Sequence, residues 1–342
     1  MAENSTSVQG PPITVVIQYS KRRWLILFLI GVLAFSVLLN FGLMAMLGDY
    51  LAVDEGPYQT FHSGEIDSEN KIARLAADFT IMPPYSGRLM DSIQAAREDD
   101  EILGALLVVD SPGGLVSDSH EIFHELKRLS ESKPVIVSFK GMAASGGYYI
   151  AMGAGPDAAI FAEPITWTGS IGVIIPRYNA SGLAQKVGVE PEALKTGPLK
   201  DTLNMFKDLS DEEIKVWDEI LEDSFDRFLT VIDENRSNLT KDQVRDLATG
   251  QVYTANQALA NGLVDQIGFE EDALAALKEK LAITDAMVVQ YEHPVSLAES
   301  LLGVKTSVPE IHVDPLSKLL STGVPRAMYL FGWQHGLTTS GF

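Results

Sequence analysis

Two glycine-rich clusters, each placed just after a continuous apolar run, hold the residue types that acyl-transfer chemistry requires. The first is Asp110-Ser111-Pro112-Gly113-Gly114, which closes the run Leu103–Asp110 (LGALLVVD). The second is Gly141-Met142-Ala143-Ala144-Ser145-Gly146-Gly147-Tyr148, which follows Pro134–Phe139 (PVIVSF). Open α/β sheets bind ligands outside the carboxyl ends of their strands, so both clusters fall where such a fold builds its site. Ser145 stands among small residues at a strand-to-helix turn. Gly113 and Gly114 permit backbone conformations that turn N–H groups outward. One N–H from that turn and the N–H of Gly146 can form a two-donor oxyanion hole beside Ser145. A glycine-rich packing turn with a capping serine accounts for the same residues. The pentapeptide Ala143–Gly147 is not the G-x-S-x-G elbow of the α/β hydrolases.

A serine hydroxyl is a weak nucleophile at neutral pH and needs a base. Lys200, in Leu194-Lys195-Thr196-Gly197-Pro198-Leu199-Lys200-Asp201, is one candidate. A lysine serves as a base only where burial lowers its pKa towards neutrality, and a solvated surface lysine is the plain alternative. A rival chemistry lies in His120-Glu121-Ile122-Phe123-His124, which matches the zinc-peptidase pattern H-E-x-x-H. Two histidines four apart share a helix face, as zinc ligation demands. At about 100° per residue, however, Leu115, Ile122, Leu126 and Leu129 form the buried stripe, and His120, His124, Lys127 and Glu131 point to solvent. A third ligand is not identified, since His293, His312 and His335 lie in weakly patterned regions. A Ser-His-Asp triad would draw its base from the six histidines of the chain. Gly153–Ala158 formally fits G-x-G-x-x-G/A, but it follows a helical stretch and is interrupted by Pro156, which argues against a dinucleotide site.

The elements that must position these residues alternate. Buried strands are expected at Ile72–Met82, Leu103–Asp110, Pro134–Phe139, Ala158–Ala162 and Ile171–Ile175. Helices are expected at Gly87–Asp99, Ser117–Glu131, Ser210–Asn235, Lys241–Ala248 and Glu271–Leu281. The long one opens on Ser210 with Asp211, Glu212 and Glu213 in its first turn, a strong helix start. Such alternation predicts an α/β layered fold with much parallel sheet.

Upstream, Trp24–Leu47 (WLILFLIGVLAFSVLLNFGLMAML) contains no charge and is long enough to span a bilayer as a helix. A cleavable signal sequence has a shorter apolar stretch and a small-residue cleavage site, and Ala45-Met46-Leu47 is a poor one. Lys21, Arg22 and Arg23 precede the run, and Asp49, Asp54 and Glu55 follow it. By the positive-inside rule the N-terminus is cytoplasmic and the remainder lies outside. The expected organisation is a cytoplasmic tail (1–23), a transmembrane helix (24–47), a polar tether (48–70), a catalytic domain (71–285) and a C-terminal extension (286–342). Within the last, Val324–Trp333 (VPRAMYLFGW) is apolar and aromatic, fit to dock on its own domain, on a neighbouring chain or at the membrane surface.

The 342 residues carry 46 acidic and 26 basic side chains, a net charge of −20. So acidic a chain repels phosphate backbones, which argues against nucleic acid as a partner. With no cysteine, disulfides, thiolate nucleophiles and Cys-ligated zinc are excluded.

Asp110–Gly114, Gly141–Tyr148, Thr168-Gly169-Ser170-Ile171-Gly172-Val173, Lys195–Asp201 and Gly250-Gln251-Val252-Tyr253-Thr254 with Gly262-Leu263-Val264-Asp265 together resemble bacterial signal peptide peptidase A, in order and spacing, over roughly residues 70–285. The resemblance implies a crotonase/Clp protease-like spiral fold, here preceded by one transmembrane helix. It implies a Ser–Lys dyad with Ser145 as nucleophile and Lys200 as general base, and Ser170 orienting the lysine. It places the oxyanion hole at Gly113 or Gly114 together with Gly146. Long family members carry two tandem copies. The single copy here implies a homo-oligomer in which Ser145 of one subunit meets Lys200 of the next. Where the family often shows a Ser-Pro-Phe-Arg-like stretch, this chain reads Thr202–Lys207, a departure in the groove wall beside the lysine. The implied activity is hydrolysis of cleaved signal peptides and other short unfolded segments, at the cytoplasmic membrane of a bacterium, with no metal or cofactor. The alternatives are a zinc metallopeptidase, a crotonase-type CoA enzyme and an inactive crotonase-fold membrane scaffold.

Overall fold

The computed structural model describes residues 21–51, 56–294 and 327–331. The expected tail over 1–20, most of the C-terminal extension, His312 and His335 lie outside these residues. The chain divides into two compact units. The first contains α1 (Lys21–Leu51). Its stretch Arg23–Met44 is long and apolar enough to cross a membrane, and every residue of that stretch is exposed. An all-round apolar surface suits a lipid rather than an aqueous solvent. Asn40 Nδ2 donates to the Ser36 carbonyl one turn back at 2.7 Å, which satisfies a polar group inside an otherwise apolar helix.

The second unit begins with β1 (Tyr58–Gly64), β2 (Lys71–Ala77), α2 (Tyr85–Glu98), β3 (Ile102–Ser111), β4 (Gly113–Leu115), α3 (Val116–Ser130), β5 (Val135–Ala144) and α4 (Gly146–Ala151). It continues with β6 (Ile160–Ala162), β7 (Trp167–Gly169), α5 (Ser181–Val187), α6 (Asp211–Asn235), α7 (Lys241–Leu247), β8 (Val252–Thr254), α8 (Ala255–Ala260), β9 (Gln266–Ile267), α9 (Glu270–Leu281), β10 (Met287–Glu292) and β11 (Met328–Leu330). The main sheet runs β1-β10-β2-β3-β5-β6-β9, with β7 paired to β5 and β8 to β7. Its pairings are parallel except β1/β10 and β7/β8.

The continuous apolar run of β3 is explained by helices on both faces. Successive side chains point to opposite sides. Ala105, Leu107 and Val109 join one core with Ile93 of α2 and Ile122 and Leu126 of α3. Leu106 and Val108 join a second with Ala273 and Leu277 of α9. Truncating the fully buried Leu107 to alanine is expected to cost about 2–5 kcal/mol of stability, read as a lowered urea midpoint at unchanged slope. The α3 stripe falls as its periodicity requires, with Ile122, Leu126 and Leu129 fully buried. α6 opens on a reciprocal cap: the Glu213 N–H donates to Ser210 Oγ and the Ser210 N–H donates to Glu213 at 2.9 Å.

Three local expectations change. The polar stretch read as a tether contains β1, an edge strand antiparallel to β10. β1 is mostly exposed and β10 buries only Val288 and Val289, so neither has the continuous apolar run of a central strand, and their pairing spans more than two hundred residues. No strand forms over Ile171–Ile175. Instead Gly169 (φ 81°) and Ser170 (φ 49°) turn the chain, and only Ile174 makes a bridge, to Met328. β5 runs five residues past Phe139, first beside β6 and then beside β7, and so carries its partner change up to the serine.

Candidate active site

Ser145 follows the last residue of β5 and caps α4 with φ 55° and ψ −115°. A non-glycine residue at positive φ is uncommon, and such strain gathers at functional sites. The strand-to-helix turn is held on both sides: the Ser145 N–H donates to the Gly169 carbonyl at 2.7 Å, and the Tyr149 N–H to the Ser145 carbonyl at 2.9 Å. Parallel pairing of Ala144 with Gly169 brings Ser170 alongside Ser145. The Ser170 N–H is fixed by the Gln251 carbonyl at 2.7 Å. Ser145 is 1% exposed.

The two glycines of the first cluster differ in role. Gly113, at φ 95°, donates its N–H to Ser111 Oγ at 3.2 Å. A β-carbon there would lie 2.0 Å from the Tyr329 carbonyl oxygen and 2.6 Å from the Gly146 nitrogen. At Gly114 it would lie 1.9 Å from the Ile81 carbonyl oxygen. Neither position has room for a side chain. Gly146 closes the same corner, since a β-carbon on it would sit 3.1 Å from the Gly114 nitrogen.

Along this corner runs β11, antiparallel to β4 with Tyr329 opposite Gly114. The flanking bonds are Val116 N–H to the Ala327 carbonyl at 3.2 Å and Phe331 N–H to the Pro112 carbonyl at 2.8 Å. Antiparallel alternation then makes Gly114 and Tyr329 a closely bonded pair, so the Gly114 N–H faces a peptide carbonyl. On its other edge Met328 exchanges bonds of 2.9 and 3.0 Å with Ile174. The Tyr329 ring is fully buried. It stacks 4.9 Å from Tyr149, lies 4.6 Å from Phe228, and its hydroxyl donates to the Ser224 carbonyl at 2.9 Å. The aromatic run near the C-terminus announced an apolar segment but not its seat.

Lys200 is not joined to this group. It is exposed, its N–H bonds the Gly197 carbonyl at 3.3 Å, and no hydrogen bond links it to Ser145 among the described residues. Thus Ser145, Ser170, Gly113, Gly114 and Gly146 come together within one chain, and the lysine stands apart. Its neighbour Asp201 accepts from Lys195 at 2.6 Å and Lys207 at 2.9 Å. Those bonds hold the Asp201 carboxyl below the usual carboxylate range.

The histidine pair gives no ligand set. His120 Nδ1 is hydrogen-bonded to the Tyr149 hydroxyl at 2.8 Å, and burial lowers its pKa. His124 is exposed. His293 Nε2 lies 3.1 Å from Ser92 Oγ. Among the described residues no three metal-binding side chains gather. The face read as solvated is therefore half-buried at His120, because Tyr149 of α4 packs against it.

A largely parallel sheet, with helices on both faces and a strained serine at a glycine-lined strand end, defines a peptidase of Clp protease-like fold. A Clp protease family model matches residues 84–167, and the model for Peptidase family S49 matches residues 127–284. The chain is 40% identical over 253 residues to "Putative signal peptide peptidase SppA" of Enterococcus faecium, covering 71% of this chain and 72% of that protein. It is 34% identical over 226 residues to "Serine protease SPPA, chloroplastic" of Arabidopsis thaliana, covering 65% of this chain and 33% of the relative. Among solved structures, a mutant of the 1510-N membrane-bound stomatin-specific protease aligns with a TM-score of 0.43 at 17% identity, over 66% of this chain and 97% of its own. The chain belongs to Peptidase family S49.

Proposed function

We propose that this protein is a membrane-anchored serine endopeptidase that uses a Ser145–Lys200 dyad to hydrolyse cleaved signal peptides and other short unfolded segments. The observation that carries the peptide reading is β11. An extended polypeptide lies against the corner formed by Gly113, Gly114 and Gly146, with a backbone carbonyl turned towards it. Substrate binds in this place, as a strand on β4.

The Lys200 amine takes the Ser145 proton, and Ser145 Oγ bonds to the peptide carbonyl carbon. The oxyanion accepts from the N–H groups of Gly114 and Gly146. Gly114 is the donor in preference to Gly113, because its N–H faces the strand that stands in the substrate's place, whereas the N–H of Gly113 is turned to Ser111. The ammonium of Lys200 then protonates the leaving amine. A water, deprotonated by the same lysine, displaces the serine and releases the acid. Ser170 stands beside Ser145 in register and orients the amine. The exposure of Lys200 supports a homo-oligomer in which the amine reaches the serine of a neighbouring subunit. α1 anchors the assembly in the bilayer of a bacterial cytoplasmic membrane, with the N-terminus inside and the catalytic domain outside.

The test is hydrolysis of an unfolded fluorogenic peptide by the full chain in detergent. Loss in both Ser145→Ala and Lys200→Met, with His124→Ala and chelator-treated parent active, supports the dyad. Chelator sensitivity with an active Lys200→Met would favour zinc, and an inert parent the scaffold. A companion result concerns the seated strand. Tyr329→Ala removes its aromatic anchor, so KM for the peptide should fall severalfold at unchanged kcat. An unchanged KM would mean that β11 does not share the substrate's place.

A further inference from the structure

We propose that Asp201 is a positioning residue for Lys200. The inference rests on the Ser–Lys reading above and adds how the base is held. Lys200 belongs to the stretch 188–210, which contains no helix or strand, so no backbone ladder braces it. Side chains do. The Asp201 carboxylate is gripped from both flanks of the loop, by Lys195 Nζ at 2.6 Å and Lys207 Nζ at 2.9 Å. Lys207 Nζ reaches on to Glu213 at 2.6 Å, and Glu213 is tied to Ser210 at the start of α6. Arg177 holds the loop elsewhere, donating to the carbonyls of Asn204 and Lys207, and Asn179 Nδ2 bonds Asp208 at 2.7 Å.

Lys195, Asp201, Lys207 and Glu213 thus form a line of alternating charge that ends on a rigid helix. Isolated exposed pairs contribute little. Here the two carboxylates are shielded, with side-chain exposures of 17% for Asp201 and 4% for Glu213, and linked groups reinforce each other. Lys200 alone among the loop's lysines has no side-chain partner among the described residues. The residue next to it takes the ion pairs, and its own amine is left free to reach outward. The pairing has an electrostatic consequence as well. A bare carboxylate one residue from the base would hold a proton there, and two ammonium groups offset its field. The charged groups on the loop beside Lys200 itself are Glu190, Glu192, Lys195, Asp201, Lys207 and Asp208, with Lys186 just before it and Arg177 and Glu213 bonded to it from outside.

The experiment measures kcat, KM and the pH profile of peptide hydrolysis for the full chain in detergent, with assembly size and melting temperature recorded for each variant. Asp201→Asn should lower kcat on the order of 10- to 100-fold, since small misplacements of a reacting group carry such losses, with little change in KM. It should also move the acid limb of the profile to lower pH, because the two ammonium groups are then unopposed. Lys207→Met should move that limb to higher pH, and Lys207→Arg should restore the parent. Opposite shifts are not the signature of a merely weakened fold. The inference fails if both variants keep the parent profile, or if kcat drops only in step with melting temperature or assembly. Lys200→Met separates the two levels. If it stays active, the dyad itself is wrong; if it is dead while Asp201→Asn is indistinguishable from the parent, only the positioning role is lost.

Discussion

Ser145→Ala is expected to reduce peptide hydrolysis by on the order of 10⁴- to 10⁶-fold in kcat, as loss of the nucleophile does in serine peptidases. The substitution removes one oxygen and should leave the fold intact. Alanine must accept the same positive φ as Ser145, and the turn is held by backbone bonds to Gly169 and Tyr149 rather than by the serine side chain. Melting temperature and assembly size should therefore match the parent closely. Peptide affinity should persist, because the strand β4 and the aromatic cluster of Tyr149 and Phe228 are untouched. Near-parent hydrolysis by Ser145→Ala would remove the serine mechanism altogether.

The second large effect is a recovery. Ser145→Ala and Lys200→Met are each expected to be inert alone. If each site joins the serine of one subunit to the lysine of another, a mixed assembly contains sites in which both groups are wild type. With random equimolar mixing, roughly one quarter of the sites are restored. Activity should appear only after subunits are co-expressed or exchanged, and should scale with the product of the two fractions. Fully inert mixed assemblies of parent size would place serine and lysine on the same chain. The exposed Lys200, unlinked to Ser145, favours recovery.

Much of this architecture is legible in the order of residues alone. The double-faced strand β3 is plain from an apolar run too long for an alternating edge. α6 is plain from Ser210 with its acidic first turn. The strand-end glycines and Ser145 are readable because close backbone approach and a sharp turn restrict the residue types that fit. Other features leave no local trace. β1 is polar, mostly exposed and completed by a strand far along the chain. β7 is three residues long and ends in a left-handed turn at Ser170, a conformation that serine does not advertise. The clamp on Asp201 joins residues six apart within an irregular loop, a spacing with no helical or strand meaning. His120 lies outside the apolar stripe of α3 yet is half-buried, because its tyrosine partner comes from a different element.

The seating of β11 sets the terms of competition for this corner. Partners on one chain meet at a local concentration that dilution of the protein does not alter. A free peptide that takes the same place faces a rival whose supply never thins. If substrate takes this place, weak, short or scarce ligands should be turned away even from a fully diluted preparation. A segment that brings a well-fitting aromatic residue, or that is itself confined close by, should gain admission. Sensitivity would then be governed by the strength of one tyrosine's hold as much as by the reactive groups themselves.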